Sequence, residues 1–159
     1  MIIELSWMEM MSAGQVGLMR QIEASKRNRS PRFPESYPGQ LLANHVNAAI
    51  AEMAVCRLLG VYWVPSVNQF HVPDLEEHNI EVRYSTRADL KVRGDEQEAR
   101  IVSVTGDPFG KLEIAGWCWG REAINDRYKK DPGNRGKPAF FIPHSALSAI
   151  EDLKLDPAS

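Results

Sequence analysis

Residues 40–59 constrain the fold of this chain more than any other stretch. Leu42, Val46, Ala49, Met53 and Cys56 recur at helical spacing on one face, and Gly60 follows where a helix needs a stop. Many residues in the segment are small, so the helix they predict can lie close against a sheet. The strands for that sheet follow it in the chain. Residues 101–105 and 112–119 are the clearest, joined by the turn Gly106-Asp107-Pro108-Phe109-Gly110. Residues 80–84 and 90–92 alternate in polarity, 140–142 form a short apolar run, and 61–64 and 67–72 read as one strand or two.

The flanks complete the pattern. Residues 4–26 read as a helix in which Trp7, Met11, Leu18 and Ile22 recur at helical spacing. Met8 and Met19 widen that stripe, while Gly14 and Gly17 weaken the helix and permit close packing. Residues 27–39 hold Pro31, Pro34, Pro38 and Gly39 and read as a loop, as do residues 131–138. Residues 143–153 begin with proline and read as a closing helix. The expectation is an α/β fold in one domain, with a central mixed sheet flanked by helices. Residues 1–39 form its helix and basic loop, and residues 40–155 its α/β core.

A chain of 159 residues with 43% apolar content can bury a real core. Its net charge of -2 neither advertises nor excludes a nucleic-acid partner, because distribution matters more than the sum. Positive charge gathers at Arg20, Lys26, Arg27, Arg29 and Arg32 against Glu23 alone, a run able to track a DNA backbone or to stand solvated. Cys56 and Cys118 lie in apolar segments and are expected to be free and buried. No stretch is long and apolar enough to span a membrane, and the start of the chain lacks a secretory layout. A cytoplasmic protein is expected, in the host cytoplasm if the chain is phage-encoded.

Chemistry concentrates in a few acids. If residues 80–84 form a strand, Glu81 and Arg83 share one face of it. Asp74 follows Pro73, where a loop or hairpin can bring its carboxylate beside Glu81. Glu52 borders the apolar stripe of the 40–59 helix, and burying it requires compensating charge or hydrogen bonds. Such carboxylates can hold Mg²⁺ or Mn²⁺, with the Val82 carbonyl as a further ligand. Arg83 can hold a phosphate oxygen bidentately but does not readily take a proton. Lys91 can add positive charge if its strand neighbours that of Glu81. His45 shares a face with Glu52, and His71 lies close to Asp74. Trp7, Trp63, Trp117 and Trp119 suit a core or an interface, including one between copies of the chain, better than base stacking.

A helix glutamate, then Pro-Asp, six residues and Glu-Val-Arg on a strand resembles the restriction-endonuclease-like PD-(D/E)XK nuclease superfamily. The likeness covers about residues 41–119. It implies metal ligation by Glu52, Asp74 and Glu81 and Mg²⁺-dependent hydrolysis of DNA. The superfamily's lysine falls on Arg83, a departure at the position of the base. Through residues 11–21, 106–120 and 138–147 the chain also resembles small phage and prophage proteins. A protein that keeps this scaffold to bind DNA or another protein, without cleaving, is the alternative.

Overall fold

The computed structural model describes residues 1–27, 38–67, 69, 72–132, 136 and 138–155. It is a mixed α/β fold with two sheets. Strand β1 (Ile2–Ile3) leads into helix α1 (Trp7–Lys26) and then helix α2 (Pro38–Leu59). Strands β2 (Ile80–Tyr84), β3 (Asp89–Val92), β4 (Arg100–Gly106) and β5 (Leu112–Trp119) follow, then a short helix α3 (Gly120–Ala123). Strands β6 (Lys129–Lys130) and β7 (Ala139–Pro143) come last. One sheet has the order β1-β5-β4-β2, with β2 parallel to β4 and the other pairs antiparallel. The second is antiparallel throughout, in the order β3-β7-β6.

Helix α2 sits between α1 on one side and β2 and β5 on the other. Ala49 through Cys56 are all buried, so the helix meets protein around most of its circumference. Gly60 ends it in a left-handed conformation (φ 69°). The Gly60 N–H donates to the Arg57 carbonyl (3.3 Å) and the Val61 N–H to the Cys56 carbonyl (3.0 Å), the paired bonds of a Schellman stop. Helix α1 begins with a reciprocal cap. The Ser6 hydroxyl accepts from the Glu9 N–H (3.3 Å), and the Glu9 carboxylate accepts from the Ser6 N–H (2.7 Å). Arg57, in the last turn of α2, donates to that same carboxylate (2.8 Å), which sets the two helices antiparallel.

The stripe that marks α1 as a helix in the sequence faces outward. Trp7 is 68% exposed, and Met11, Leu18 and Ile22 are exposed with it. The buried residues of α1 are Ala13 and Gly17. At Gly17 the backbones of α1 and α2 come so close that an added Cβ would lie 2.5 Å from the Val46 Cα. Small residues, not bulky ones, select the contacting face. Gly14 has no such neighbour.

Both faces of the larger sheet are covered. Ile80, Val82, Val102, Val104, Leu112 and Ile114 pack toward the helices. Ile101 and Cys118 pack on the other side with Leu90, Val92 and Ile142 of the second sheet. That second sheet, not a pair of terminal helices, completes the cover. The closing helix expected over residues 143–153 is instead two 3₁₀ turns, His144–Ala146 and Ile150–Asp152. Between them Ser148 exchanges both backbone bonds with Trp117 (2.9 and 3.0 Å), which breaks any helix there. Gly116 permits the contact: its φ is 140°, and a Cβ would meet the Ser148 carbonyl oxygen at 2.5 Å.

The strand expected at 61–64 does not form. Its Val61 N–H is spent on the helix stop, and Tyr62 and Val64 are exposed. Of the 67–72 segment, residues 68, 70 and 71 lie outside the described residues, and Val67, Gln69 and Val72 carry no strand. Among the described residues no helix is long and apolar enough to cross a membrane.

The helix contact is testable. Gly17→Ala should cost about 1–3 kcal/mol, because the Val46 backbone cannot retreat without separating the helices. Gly14→Ala, with open space around it, should be neutral or slightly stabilising. Chemical denaturation of the two variants distinguishes them, and equal effects would show that the close approach is absent.

Candidate metal and phosphate site

Strand β2 lies at the edge of its sheet, so alternate N–H and C=O groups face away from β4. The chain just before it doubles back to meet that edge. Leu75 and Ile80 exchange backbone bonds (3.0 and 3.2 Å) around the 3₁₀ turn Glu76–His78, with Asn79 in the left-handed region at φ 49°. This reversal carries Asp74 alongside β2, where its carboxylate accepts from the Val82 N–H (2.8 Å). The bond satisfies a donor that no strand reaches.

Glu52 reaches the same region from α2. It is buried, and the Arg20 guanidinium grips both its oxygens (2.6 and 2.7 Å). Arg20 also donates to the Ser66 carbonyl (2.8 Å) and hydroxyl (3.1 Å). Breaking a buried pair of this kind typically costs about 3–5 kcal/mol, because the survivor stays charged. Glu81 points from the face of β2 opposite α2 and accepts from Arg83 (2.7 Å). Arg83 Nη1 also lies 3.4 Å from the Val82 carbonyl, and Nη2 bonds Glu96.

Glu96 is the acid that sequence reasoning missed. It is buried, and it accepts from the Arg93 N–H (2.7 Å) and the Arg93 side chain (2.7 Å) as well as from Arg83. Gly120 seats its loop, since a Cβ there would lie 1.7 Å from the Glu96 carbonyl oxygen. In the sequence Glu96 belongs to an acidic run with Asp95 and Glu98, and nothing local separates it from solvated neighbours.

Four carboxylates thus meet three guanidiniums. Glu52 is matched by Arg20, and Glu81 and Glu96 share Arg83 and Arg93. Among the described residues no arginine is bonded to Asp74. Burial, then the charges of Glu52 and Glu81, raise its carboxyl to about 7 against the Val82 bond and the Arg83 charge. Glu52 and Asp74 also bear on Cys56, whose thiol burial pushes up to about 12. Cys56 and Cys118 are both free and buried.

The oxygen donors suit a hard cation. Asp74, Glu81 and the Val82 carbonyl supply two carboxylates and one neutral oxygen, a set that Mg²⁺ completes with water and phosphate oxygens. Among the described residues no group of three or more His, Cys, Asp or Glu is arranged to hold a metal ion. Glu52 joins Asp74 electrostatically rather than as an open ligand, since Arg20 occupies both its oxygens. A cleft of about 530 Å³ opens beside Glu81, bounded by Pro73, Asn79, Arg93, Glu96 and Glu98.

The remaining candidates disperse. Lys91 lies on β3, in the second sheet, so its strand does not pair with that of Glu81; its ammonium stands over the Phe141 ring at 5.8 Å. Arg20 faces inward and does not join a surface run with Lys26 and Arg27, which are exposed at the end of α1. Arg29, Arg32 and His71 lie outside the described residues. His45 is half-buried near Arg20, and burial, then the Arg20 charge, lowers its pKa. His144 pairs with the Ser103 hydroxyl at 3.1 Å. Trp117 and Trp119 meet edge to face at 6.1 Å, with Arg121 4.3 Å above the Trp119 ring. No protein-family model, curated protein or solved structure matches the chain.

The Asp74 environment makes stability depend on pH. Its folded-state value of about 7 exceeds the ordinary 3.8, so the native state keeps a proton that the unfolded chain releases. The carboxyl costs nothing below about pH 4, and its full penalty is present above about pH 7. Asp74→Asn keeps an acceptor for the Val82 N–H and removes the charge. It should be about 1–3 kcal/mol more stable than the parent at pH 8 and equal to it near pH 4. Thermal denaturation across that range checks this; a difference independent of pH contradicts it.

Proposed function

We propose that this chain is a restriction-endonuclease-like nuclease that hydrolyses DNA phosphodiester bonds with Mg²⁺ or Mn²⁺. The observation that carries the reading is Asp74, bonded to the Val82 N–H at the sheet edge, where burial and the charges of Glu52 and Glu81 outweigh that of Arg83. Ionising that carboxyl costs the fold stability, and a divalent cation would relieve the cost.

Asp74, Glu81 and the Val82 carbonyl would hold the ion, and Glu52 would support it through water. When bound, the ion supplies a coordinated water of lowered pKa and a charge sink for the phosphate. The protein's own groups do the rest. The Val82 N–H fixes the Asp74 carboxylate through one oxygen. Both terminal nitrogens of Arg83 are bonded, to Glu81 and to Glu96, so Arg83 would hold a phosphate oxygen by giving up one of them. Its charge is permanent, so it orients and neutralises but does not accept the proton of the attacking water. Glu96 is held in turn by Arg93. The likeness to phage and prophage proteins supports a phage context for the chain and supplies no activity.

One observation favours a second reading, a non-cleaving module that binds DNA or another protein. Arginines already grip Glu52, Glu81 and Glu96, so most of the cluster is neutral without any ion. Incubation with linear, branched and single-stranded DNA, with and without Mg²⁺ or Mn²⁺, separates the two. Metal-dependent cleavage is expected, falling to background in Asp74→Ala and Glu81→Ala while circular dichroism stays unchanged. Cleavage that survives both substitutions would remove the two acids from the mechanism. A parent protein that cuts none of the substrates would leave the second reading.

A further inference from the structure

The cleft beside Glu81 is poorly suited to attract DNA on its own. Its lining holds Glu81, Asp95, Glu96 and Glu98 against Arg93, a field that repels phosphate. If the nuclease reading holds, the polyanion must be gripped elsewhere. The basic run near the end of α1 is weakened for that task, because Arg20 is turned inward onto Glu52.

The opposite charge balance occurs at the other end of β3. A second groove, of about 500 Å³, lies between the β2–β3 connection, β7 and the segment ahead of β6. Arg87, Arg127 and Lys130 line it, with Asp89 as the acid among its walls. Arg87 spends one N–H on Asp89 (3.1 Å) and keeps a side chain that is 65% exposed. Arg127 and Lys130 are exposed too. Aromatic rings carry the cations: the Arg127 guanidinium lies 4.4 Å from the Tyr128 ring centroid, and that of Arg87 lies 5.7 Å from Phe141. A contact with a ring face uses no guanidinium N–H, so it does not compete with a phosphate for those donors.

Strand β3 connects the two sites. Leu90 and Val92 face the core, so Asp89 and Lys91 lie on the outer face, with Lys91 directly across from Phe141 on β7. Arg93 follows at the cleft end, bonded to Glu96. From Asp89 to Arg93 the chain advances about 13 Å at strand rise. Measured along the axis of a duplex, that distance matches about four base-pair steps. A backbone lying along this face passes the groove cations first, then Lys91, and arrives at Arg93 beside Glu81.

We infer that the groove of Arg87, Arg127 and Lys130 is a binding site for the phosphodiester backbone of DNA, which β3 aligns with the acidic cleft. The inference rests on the nuclease reading for its substrate but not for its test. Binding of a short fluorescein-labelled duplex is measured by anisotropy without divalent metal, across about 50–200 mM salt. The parent should bind with steep salt dependence. The triple variant R87Q/R127Q/K130Q should lose affinity, and its slope of log K against log salt should be lower by about 2–3. K26Q/R27Q, at the exposed end of α1, serves as the control and should change neither markedly. Circular dichroism and melting of the triple variant check folding, and R127E/K130E, altering only exposed side chains, should weaken binding further. Equal affinity and slope in parent and triple variant overturn the inference, as do binding lost in K26Q/R27Q instead and a parent that does not bind. If the parent binds through the groove but cleaves nothing with metal, the nuclease reading falls and the groove stands. If it cleaves while the triple variant binds as tightly as the parent, the groove falls and the nuclease reading stands.

Discussion

The hydrogen bond from the Val82 N–H to Asp74 ties the architecture to the chemistry. An edge strand leaves donors without partners, and β2 satisfies one of them with a carboxylate instead of another strand. The tight reversal over residues 75–80 makes this possible, with Asn79 taking the left-handed turn. Once Asp74 is fixed there, it stands at the edge of the sheet, with Glu81 on one face and α2, carrying Glu52, against the other. Neither neighbour can move away cheaply. Glu52 is locked to Arg20, and Glu81 is tied through Arg83 to buried Glu96.

The scaffold shows how this arrangement survives folding. Helix α2 is enclosed between α1 and the sheet, so a charge on it must carry its counterion along. Arg20 supplies it from α1, and the close contact at Gly17 brings the two helices near enough for the pair to form. The larger sheet is covered on its far face by β3 and β7, and β3 runs from the basic groove toward the acidic cleft. The groove at the start of β3 is therefore mostly basic and the cleft beyond its end mostly acidic.

Features encoded by neighbouring residues were legible in the sequence. Gly60 ends α2 through bonds within its own last turn, and the alternation of residues 112–119 marks β5 to the residue. Features set by distant contacts were not. The apolar stripe of α1 identifies a helix, but Gly17 meeting Val46 decides which face is buried. The helix expected at the end of the chain yields to a bridge with Trp117, thirty-odd residues away in sequence. The same division runs through the site. Glu52, Asp74, Glu81 and Arg83 could be singled out by residue type and spacing. The inward turn of Arg20, at the head of a basic run, and the burial of Glu96, inside an acidic one, depend on packing that no local pattern announces.

The direct test is the titration of the Asp74 side-chain carboxyl, followed by its ¹³C resonance with and without Mg²⁺. A midpoint near 7 in the absence of metal, moving to lower pH as Mg²⁺ is added, is the expected result. A midpoint close to 3.8 that ignores the ion would mean that the three acids do not act on one another and that no cation is drawn to them.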